Sequence, residues 1–568
     1  MTIARSAQTL ESLVSADISN AVEALDAQVA GNGDKVAVTV GETGETFTYS
    51  EIGRRTDALA ASLRERGVNA GDRVAIISET PLTSVISMYG VWKAGAVFAP
   101  INPEYSGEFL TYHLNDCGAR IVIASPRAAE RVDEVRLTII EHLTVVIDSF
   151  DPGRAESGGE SLADLTRAGT RPDGTIMFND PASVIYTSGT TGPAKGVVLS
   201  HRWVNQYTWQ YRRWVNEDDV IHVDLPMYHV GAAFFNVVRA LWVGASISLW
   251  ERFSASQYWE RIAEAGATSS LLLDVMIPWL MQQPESPAAA ENTLRHVHMQ
   301  PLPATHHDFA TRFGIDFVTA GFGQTESGSA IYGLVDQFPD DDGGTPEHAK
   351  RGLSRELMRS RAKEDGALIV RGDRPIERGF MGWPSPFLEI EIHDAYGRPC
   401  ADNTTGELVV RPRIASAIFS LYLGKSDYSL HAFRDLWFHT GDTATRDENG
   451  ILYFRGRIGD RIRVKGENIS AFDIEQRALV HPEIVKAAAI GIPSSQGEED
   501  DIVLFLELIH TSELSASELM TYMRTSLARH MHPSEIRIID SMPVTQTNKI
   551  QKHKLHSLVG RSGSRNQR

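Results

Sequence analysis

Tyr186-Thr187-Ser188-Gly189-Thr190-Thr191-Gly192-Pro193-Ala194-Lys195-Gly196 is the most informative stretch of this chain. It lies between the apolar runs Ser183-Val184-Ile185 and Val197-Val198-Leu199, so it reads as a loop joining two strands. Gly189 and Gly192 let backbone N–H groups turn toward an anion, the Ser and Thr hydroxyls can donate to phosphate oxygens, and Lys195 adds positive charge. The run is not the nucleotide loop GxxxxGK[ST], because Lys195 follows Gly192 by three and is itself followed by Gly196. A plain surface turn is the simpler alternative. The density of hydroxyl, glycine and lysine between two apolar strands argues for a phosphate cradle instead.

On the N-terminal side of this loop the pattern alternates. Residues 51–66 carry Ile52, Leu59 and Leu63 on one helical face before Gly67, then 73–78 reads as a strand, 82–94 as a helix and 96–101 as a strand. A further helix at 110–116 and a strand at 120–125 repeat the unit, which predicts a largely parallel sheet covered by helices. A second alternating block runs from Val197 to about Thr325. The charged stretch 333–378 reads as an irregular, lid-like insertion, and short strands from about 385 suggest a small β-rich subdomain. After Arg457 a compact α+β region begins, with a helix at 472–480, strands at 486–492 and 502–508 and a helix at 515–529. The expected fold is therefore α/β: a large N-terminal domain over 1–457 and a smaller, mobile C-terminal domain over 458–568. At about 150 residues per domain, 568 residues correspond to three or four units, and no repeat of 20–50 residues is evident.

Composition excludes several classes of function. With 42% hydrophobic and 23% charged residues, the chain has the profile of a soluble globular protein. Its 73 acidic and 55 basic residues give a net charge of −18, which disfavours nucleic acid and anionic membrane as partners. Cys117 and Cys400 stand far apart, so neither a disulfide framework nor a CxxC metal or redox site is expected, and both read as packing residues. His306-His307 and His530-Met531-His532 lack companion ligands at zinc spacing and read as solvated. The polar N-terminus and the frayed basic C-terminus suggest neither a signal peptide nor a peroxisomal address, so the cytoplasm is the expected location.

Further motifs follow the cradle in a fixed order: Leu225-Pro226-Met227-Tyr228-His229-Val230-Gly231, Gly321-Phe322-Gly323-Gln324-Thr325-Glu326, Trp437-Phe438-His439-Thr440-Gly441-Asp442, Phe454-Arg455-Gly456-Arg457 and Asn548-Lys549. Together with the cradle they resemble the adenylate-forming superfamily of acyl-CoA synthetases, luciferases and adenylation domains, over roughly 20–556. The resemblance is to the acid:CoA ligase branch, and the middle and C-terminal stretches are somewhat similar to carnitine/crotonobetaine-type CoA ligases. It implies that ATP is held by Thr187, Ser188, Gly189, Thr190, Thr191, Gly192, Lys195, Gly321, Phe322, Gly323, Gln324, Thr325, Asp442, Arg457 and Lys549. Asp442 would hold the ribose hydroxyls, Phe322 would stack on adenine, and Glu326 with Thr187 would ligate Mg²⁺. Lys549, Glu326 and His229 are the implied catalytic residues, with Lys549 bridging the acid carboxylate and the α-phosphate. The acyl pocket would be built from His229, Phe234, Phe235, Asn236, Asp274 and Tyr332. Lys465, Gly466 and Glu467 would meet CoA after the C-terminal domain turns about Gly459.

The chain departs from the family pattern in places. Phe322 replaces a tyrosine, Met299-Gln300-Pro301 replaces a glycine-rich adenine edge, Gly459 replaces the usual Asp or Lys of the hinge, Lys465 a frequent glycine, and Asn548 the glycine before the lysine. The resemblance implies a small carboxylic acid, ATP and CoA as partners, and leaves a homodimer open. A stand-alone enzyme loading a carrier protein, a luciferase-type monooxygenase and a catalytically impaired binding homologue remain open alternatives, and the acid itself is not legible.

Overall fold

The computed structural model describes residues 17–139, 143–149, 160–187, 194–344, 351–464, 467–493, 500–545 and 549–559. Its first large sheet has eight strands, ordered Leu421–Tyr422, Lys195–Ser200, Pro181–Thr187, Val97–Pro100, Arg73–Ile77, Ile121–Ala124, Thr144–Ile147 and Glu160–Ser161. From Pro181–Thr187 outward the pairing is parallel, and Lys195–Ser200 and Leu421–Tyr422 add antiparallel partners at the other edge. The helices Tyr49–Glu65, Pro81–Lys93 and Gly107–Cys117 fall where the periodicity predicts them. Tyr49–Glu65 begins with a capping box, in which Thr48 and Glu51 each satisfy the other's backbone N–H. Pro81–Lys93 is buried along its whole length, and its one charge, Lys93, is paired with Asp57 at 2.6 Å and Asp26 at 3.2 Å.

A second sheet of 14 strands has a parallel centre formed by Val220–Val223, Ser246–Leu249, Ser269–Leu272, His296–Met299 and Phe317–Gln324. Gly328–Asp336 then turns back antiparallel to Phe317–Gln324. The short strands after 385 do not form a separate barrel. Phe380–Pro384 pairs with both Gly328–Asp336 and Leu452–Arg457, which joins Leu388–His393, Gly406–Pro412 and Phe438–Arg446 to the large sheet.

The stretch 333–378 is not irregular in its described residues. It opens inside the buried strand Gly328–Asp336 and contains the helix Arg355–Glu364 and the strand Ile369–Arg371, which pairs parallel to that strand. Its charges neutralise one another inward: Arg359 bonds Asp336 at 2.7 Å and Arg355 bonds Asp316 at 2.7 Å, so charge density here marks ion pairing and not a loop. Beyond Arg457 the chain makes a hairpin, Arg461–Val464 with Glu467–Ser470, and a three-stranded sheet of Ile484–Pro493, Asp500–Leu508 and Glu535–Ile538. The helices Ala471–Ala478 and Ala516–Ser526 pack on one face of that sheet, around Ile474, Leu504, Leu519 and Met523.

Cys117 is buried in the core beneath the first sheet, where burial pushes its thiol up to about 12, and both cysteines are free. No helix among the described residues is long and apolar enough to cross a membrane.

Candidate functional site

The carboxyl ends of Pro181–Thr187 and Phe317–Gln324 are brought together through Tyr422, which meets Lys195 and Glu326, and strand ends of this kind are where such sheets bind ligands. Thr187, at the end of Pro181–Thr187, faces Lys195 across the hairpin as its register partner. Ser188, Gly189, Thr190, Thr191 and Gly192 lie outside the described residues. The loop's two ends are tied to the helix Gly107–Cys117: the Tyr186 hydroxyl donates to Asp116 at 2.9 Å and the Tyr112 hydroxyl to the Ala194 carbonyl at 2.6 Å. Lys425 completes the anchor through an ion pair with Asp116. The Lys195 ammonium rests over the rings of Tyr422 and Tyr428, 4.7 and 5.1 Å from their centroids.

Gly321, Phe322, Gly323 and Gln324 end the strand Phe317–Gln324, and Thr325 and Glu326 form the turn beyond it. Both glycines are required by the hairpin itself. A Cβ at Gly321 would stand 2.5 Å from the Ile331 carbonyl oxygen, and one at Gly323 2.6 Å from that of Gly328. Phe322 stacks on Phe454 with centroids 6.4 Å apart, so its flat face is fixed by packing. The departure at Met299-Gln300-Pro301 reaches this strand, because the Gln300 amide donates to the Gly323 carbonyl at 3.5 Å.

Gln324 joins this strand to the next motif: its amide nitrogen donates to Asp442 Oδ2 at 2.6 Å and to the Thr440 carbonyl at 3.0 Å. Asp442 is 3% exposed, and burial pushes its pKa up to about 6 against the opposing pull of Arg457, the Gln324 hydrogen bond and Lys549. Arg457 Nε lies 3.5 Å from Asp442 Oδ1.

Lys549 enters this group from the C-terminal region. Its turn is closed by Thr545 N–H donating to the Lys549 carbonyl at 2.8 Å and by Lys549 N–H donating to Thr545 Oγ1 at 3.1 Å. Its residue surface remains open to water, yet the cleft around it excludes enough solvent that burial is the first cause lowering its pKa, followed by the Arg457 charge. Asp442 and Glu326 act in the opposite direction, so all three groups lie within electrostatic range of the Lys549 ammonium. His229 also feels Lys549: burial first, then that charge, lowers its pKa to about 4 and keeps the imidazole neutral. Gly231 N–H donates to His229 Nδ1 at 3.3 Å, which leaves the proton on Nε2.

Glu326, the carboxylate expected to ligate Mg²⁺, is held from two sides. Its backbone carbonyl accepts from Phe419 N–H at 2.8 Å and its Oε1 from the Tyr422 hydroxyl at 2.9 Å. No group of three or more His, Cys, Asp or Glu capable of holding a metal occurs among the described residues. One carboxylate with the Thr187 hydroxyl nonetheless suits Mg²⁺, which keeps waters and takes its remaining ligands from substrate phosphates.

The acyl-pocket candidates separate into two groups. Phe235 packs with Tyr211 at 4.5 Å and His298 at 4.6 Å, and Tyr332 lies 6.3 Å from Tyr211, giving one aromatic wall. Phe234 points into the core instead, against Trp92 and Trp203, and the amide oxygen of Asn236 accepts from the buried Arg239. Asp274 follows the strand Ser269–Leu272 with its residue surface open to water, although the chain packed around it is dense enough for burial to raise its pKa; it makes no ion pair among the described residues.

Gly459 sits in the short helical turn Ile458–Asp460, without a positive φ, and a Cβ there would meet nothing within 4 Å. This pose therefore does not demand glycine at that position. A latch stands one residue on: Lys552 bonds Asp460 at 2.8 Å and Glu475 at 2.7 Å. Lys465, Gly466 and Asn548 lie outside the described residues, as does the side chain of Glu467. The expectation of a solvated His306 is overturned: it is 5% exposed and bonds Gln337, because the helix His306–Phe313 turns it inward. His532 is also bonded, to the Leu527 carbonyl at 3.0 Å. Tyr422, Asp116 and Tyr211 were missed by motif reading; each lies outside the motifs and reaches the cleft only through pairing of distant segments.

A family profile described as "AMP-binding enzyme" matches residues 25–423, and one described as "AMP-binding enzyme C-terminal domain" matches residues 473–549. The chain is 26% identical over 525 residues to the crotonobetaine/carnitine–CoA ligase of Salmonella heidelberg, covering 90% of this chain and 93% of that protein. Among solved structures, ATP-bound MatB from Rhodopseudomonas palustris superposes with a TM-score of 0.78 at 22% identity, covering 96% of this chain and 99% of the other. A benzoate CoA ligase from Burkholderia xenovorans gives 0.77 at 22% identity, covering 94% and 99%. At these identities the structural likeness establishes the fold.

Proposed function

The chain belongs to the family of AMP-binding enzymes, and on that premise we propose that it is an AMP-forming acid:CoA ligase working in two half-reactions. In the first, an acid carboxylate oxygen attacks the α-phosphorus of ATP and pyrophosphate leaves with the electrons of the broken P–O bond. No general base is needed, because a carboxylate is ionised at neutral pH; positioning and charge neutralisation supply the rate. The observation that carries this reading is the convergence of Asp442, Arg457, Glu326 and His229 on the Lys549 ammonium. A cation so placed neutralises the charge that grows between the carboxylate and the phosphate.

Asp442 accepts from the ribose hydroxyls, Phe322 offers its face to adenine, and Thr187 and Lys195 grip the phosphates at the two ends of the cradle. Glu326 and Thr187 would hold Mg²⁺, which supplies neutralisation of phosphate charge when bound. Neutral His229 orients the acid without taking its proton.

In the second half-reaction the domain that begins at about 458 rotates about the Ile458–Asp460 turn, with Gly459 as the pivot. Lys549 withdraws and residues 464–469 approach the cleft, where Lys465, Gly466 and Glu467 meet CoA. The thiol sulfur, losing its proton, bonds the acyl carbon and AMP leaves. The wall of Phe235, Tyr211 and His298 favours a short acid, and Asp274 at the rim favours one with a cationic head; the similarity to a crotonobetaine/carnitine ligase supports both.

The test is AMP release from ATP with short-chain, aryl, medium-chain and betaine-like acids, with and without CoA. AMP and thioester formed together from a short acid are expected. ATP turnover that ignores every acid, or product formation that ignores CoA, would overturn the reading.

A further inference from the structure

A second cavity, of about 350 Å³, shares none of the cleft residues named above. Its walls come from residues 302–304, His306 and His307, from 372–379, and from Gln476 on the helix Ala471–Ala478 of the C-terminal region. Two carboxylates and two guanidiniums line it. Asp373 and Glu377 are drawn into ion pairs with Arg371 and Arg455. Arg374 and Arg378 make no ion pair among the described residues; Arg374 is exposed and its charge acts on Asp340 and Asp373, whereas Arg378 is half-buried. His306 Nδ1 accepts from the Gln337 amide nitrogen and His307 Nδ1 donates to the Gln337 amide oxygen, so Nε2 carries the proton of a neutral His306 ring whereas a neutral His307 ring has none there. Across the seam Arg378 lies within electrostatic range of Arg477, whose Nε is buried with no hydrogen-bond partner among the described residues. Asp473 and Tyr522 also act on Arg378, so one carboxylate stands against two guanidiniums there. Burial first, then the Arg477 charge, lowers the Arg378 pKa. Like charges pressed together at a partly dry seam are costly until an anion lies between them.

We propose that this cavity binds a compact phosphate-bearing anion through Arg374 and Arg378, with His306 Nε2–H as a further donor, and that its occupancy holds the pose in which Lys549 reaches the cleft. Guanidinium groups match phosphate oxygens in pairs, and the volume falls at the lower end of the range for small-molecule sites. Gln476 belongs to the part that must turn in the second half-reaction, so the complete cavity exists in the adenylating pose alone. A ligand that binds the closed cavity and not the opened one favours the closed pose by that difference. The kinetic half of this inference rests on the two-pose reading above; the binding half does not.

The experiment uses the full chain with the nucleotide cleft filled by a non-hydrolysable acyl-sulfamoyl-adenosine, and follows titrated inorganic phosphate by ³¹P line broadening. Saturable binding is expected, weakened at least roughly tenfold in the double variant Arg374→Ala/Arg378→Ala and unaltered in Lys195→Ala. In single-turnover assays phosphate should slow thioester formation from preformed acyl-adenylate and leave adenylate formation alone, an effect absent from the double variant. Broadening that never saturates, or saturable binding that survives the double substitution, overturns the site. Binding lost in the double variant without any phosphate effect on thioester formation overturns the hold on the pose. Should no acid yield an adenylate, the proposed activity fails while the phosphate titration still decides the cavity.

Discussion

The Tyr422 hydroxyl donates a 2.9 Å hydrogen bond to Glu326 Oε1, and the same ring carries the Lys195 ammonium 4.7 Å from its centroid. One side chain thus fixes both the carboxylate expected to hold the metal and the cation expected to hold the phosphates. Its backbone is equally committed: Leu421 and Tyr422 pair with Val198 and Val197, while Phe419 N–H binds the Glu326 carbonyl. Tyr422→Phe keeps the ring and removes the O–H. We expect the Mg²⁺ concentration for half-maximal adenylation to rise at least roughly tenfold, the equivalent of about 1.5 kcal/mol at the low end for a hydrogen bond to a charged group. Calorimetric ATP binding without Mg²⁺ should be unchanged in this variant and weakened in Tyr422→Leu, which also removes the support of Lys195. Equal Mg²⁺ dependence in wild type and Tyr422→Phe would show that the hydroxyl orients nothing.

Lys549 serves one half-reaction only if the C-terminal domain moves between them. Lys549→Ala should therefore abolish adenylation, a loss of at least about a hundredfold for removing a charge-stabilising donor, while thioester formation from supplied acyl-adenylate retains most of its rate. The two rates are measured separately, by ATP–pyrophosphate exchange and by rapid-quench thioester assay. Parallel loss in both would refute a lysine that withdraws.

Much of this was legible before any coordinates. The strand–helix alternation from Ile52 to Ala124 follows from hydrophobic period and glycine stops, and the helices and strands fall within a few residues of it. Asp442, Lys549, Glu326 and Arg457 stand in motifs, and the fold brings them together at one edge. What was not legible depends on pairing between distant segments. A two-residue strand such as Leu421–Tyr422 has no period of its own, and its place beside Val197 and Val198 is set by sheet geometry. The charge density of 333–378 reads as an irregular insertion, whereas Arg355 and Arg359 use their charges on Asp316 and Asp336. Adjacent apolar residues also mislead: Phe234 and Phe235 are neighbours in sequence but point into different surroundings.

The ionisation of Asp442 sets opposite demands on the free and nucleotide-bound protein. Its pKa rises from an ordinary 3.8 to about 6, so between these values the folded chain binds more protons than the unfolded one. This group's contribution to stability is fully present below about 3.8 and is lost as pH rises through about 6. Accepting two ribose hydroxyls requires the ionised form, so AMP affinity should fall by up to about tenfold per pH unit below pH 6. Calorimetry of AMP binding in wild type and Asp442→Asn checks this, since the variant should bind weakly without that acid limb. His229 titrates near 4 and should leave the limb in place when replaced by Gln. An acid limb that vanishes in His229→Gln and persists in Asp442→Asn would reverse the assignment.

Lys552 holds the start of the C-terminal region together. It bonds Asp460, beside the pivot, and Glu475 on the helix Ala471–Ala478, whose carboxyl burial pushes up, with this ammonium as the chief opposing influence. Lys552→Met leaves Glu475 without its cation. Because Lys552 retains 19% exposure, the loss should fall below the 3–5 kcal/mol of a fully buried pair, at about 2–3 kcal/mol. Hydrogen exchange should speed up across 461–559 and not in the parallel strands of either large sheet. Uniform acceleration throughout the chain would mean that the two regions unfold as one unit.

The last test concerns the size of the acid. Phe235 packs against Tyr211 and His298, with centroids 4.5 and 4.6 Å away, is itself 2% exposed, and would close the proposed acyl pocket. Removing its ring leaves space that neighbouring side chains recover only in part, at a cost of about 3–5 kcal/mol in stability. That space is also the direction in which a longer acyl chain would grow. Phe235→Ala should therefore lower kcat/KM for the best short acid and raise it for acids longer by two to four carbons, at about 0.8 kcal/mol, or roughly fourfold, per methylene accommodated. Phe234→Ala, which opens the core beside Trp92 and Trp203, should lower stability without changing the preferred length. Competition between short and medium acids, read as the ratio of thioesters formed, separates the two variants. A shift in preferred length from Phe234→Ala and none from Phe235→Ala would mean that the pocket lies on the other face of the helix Gly231–Val238.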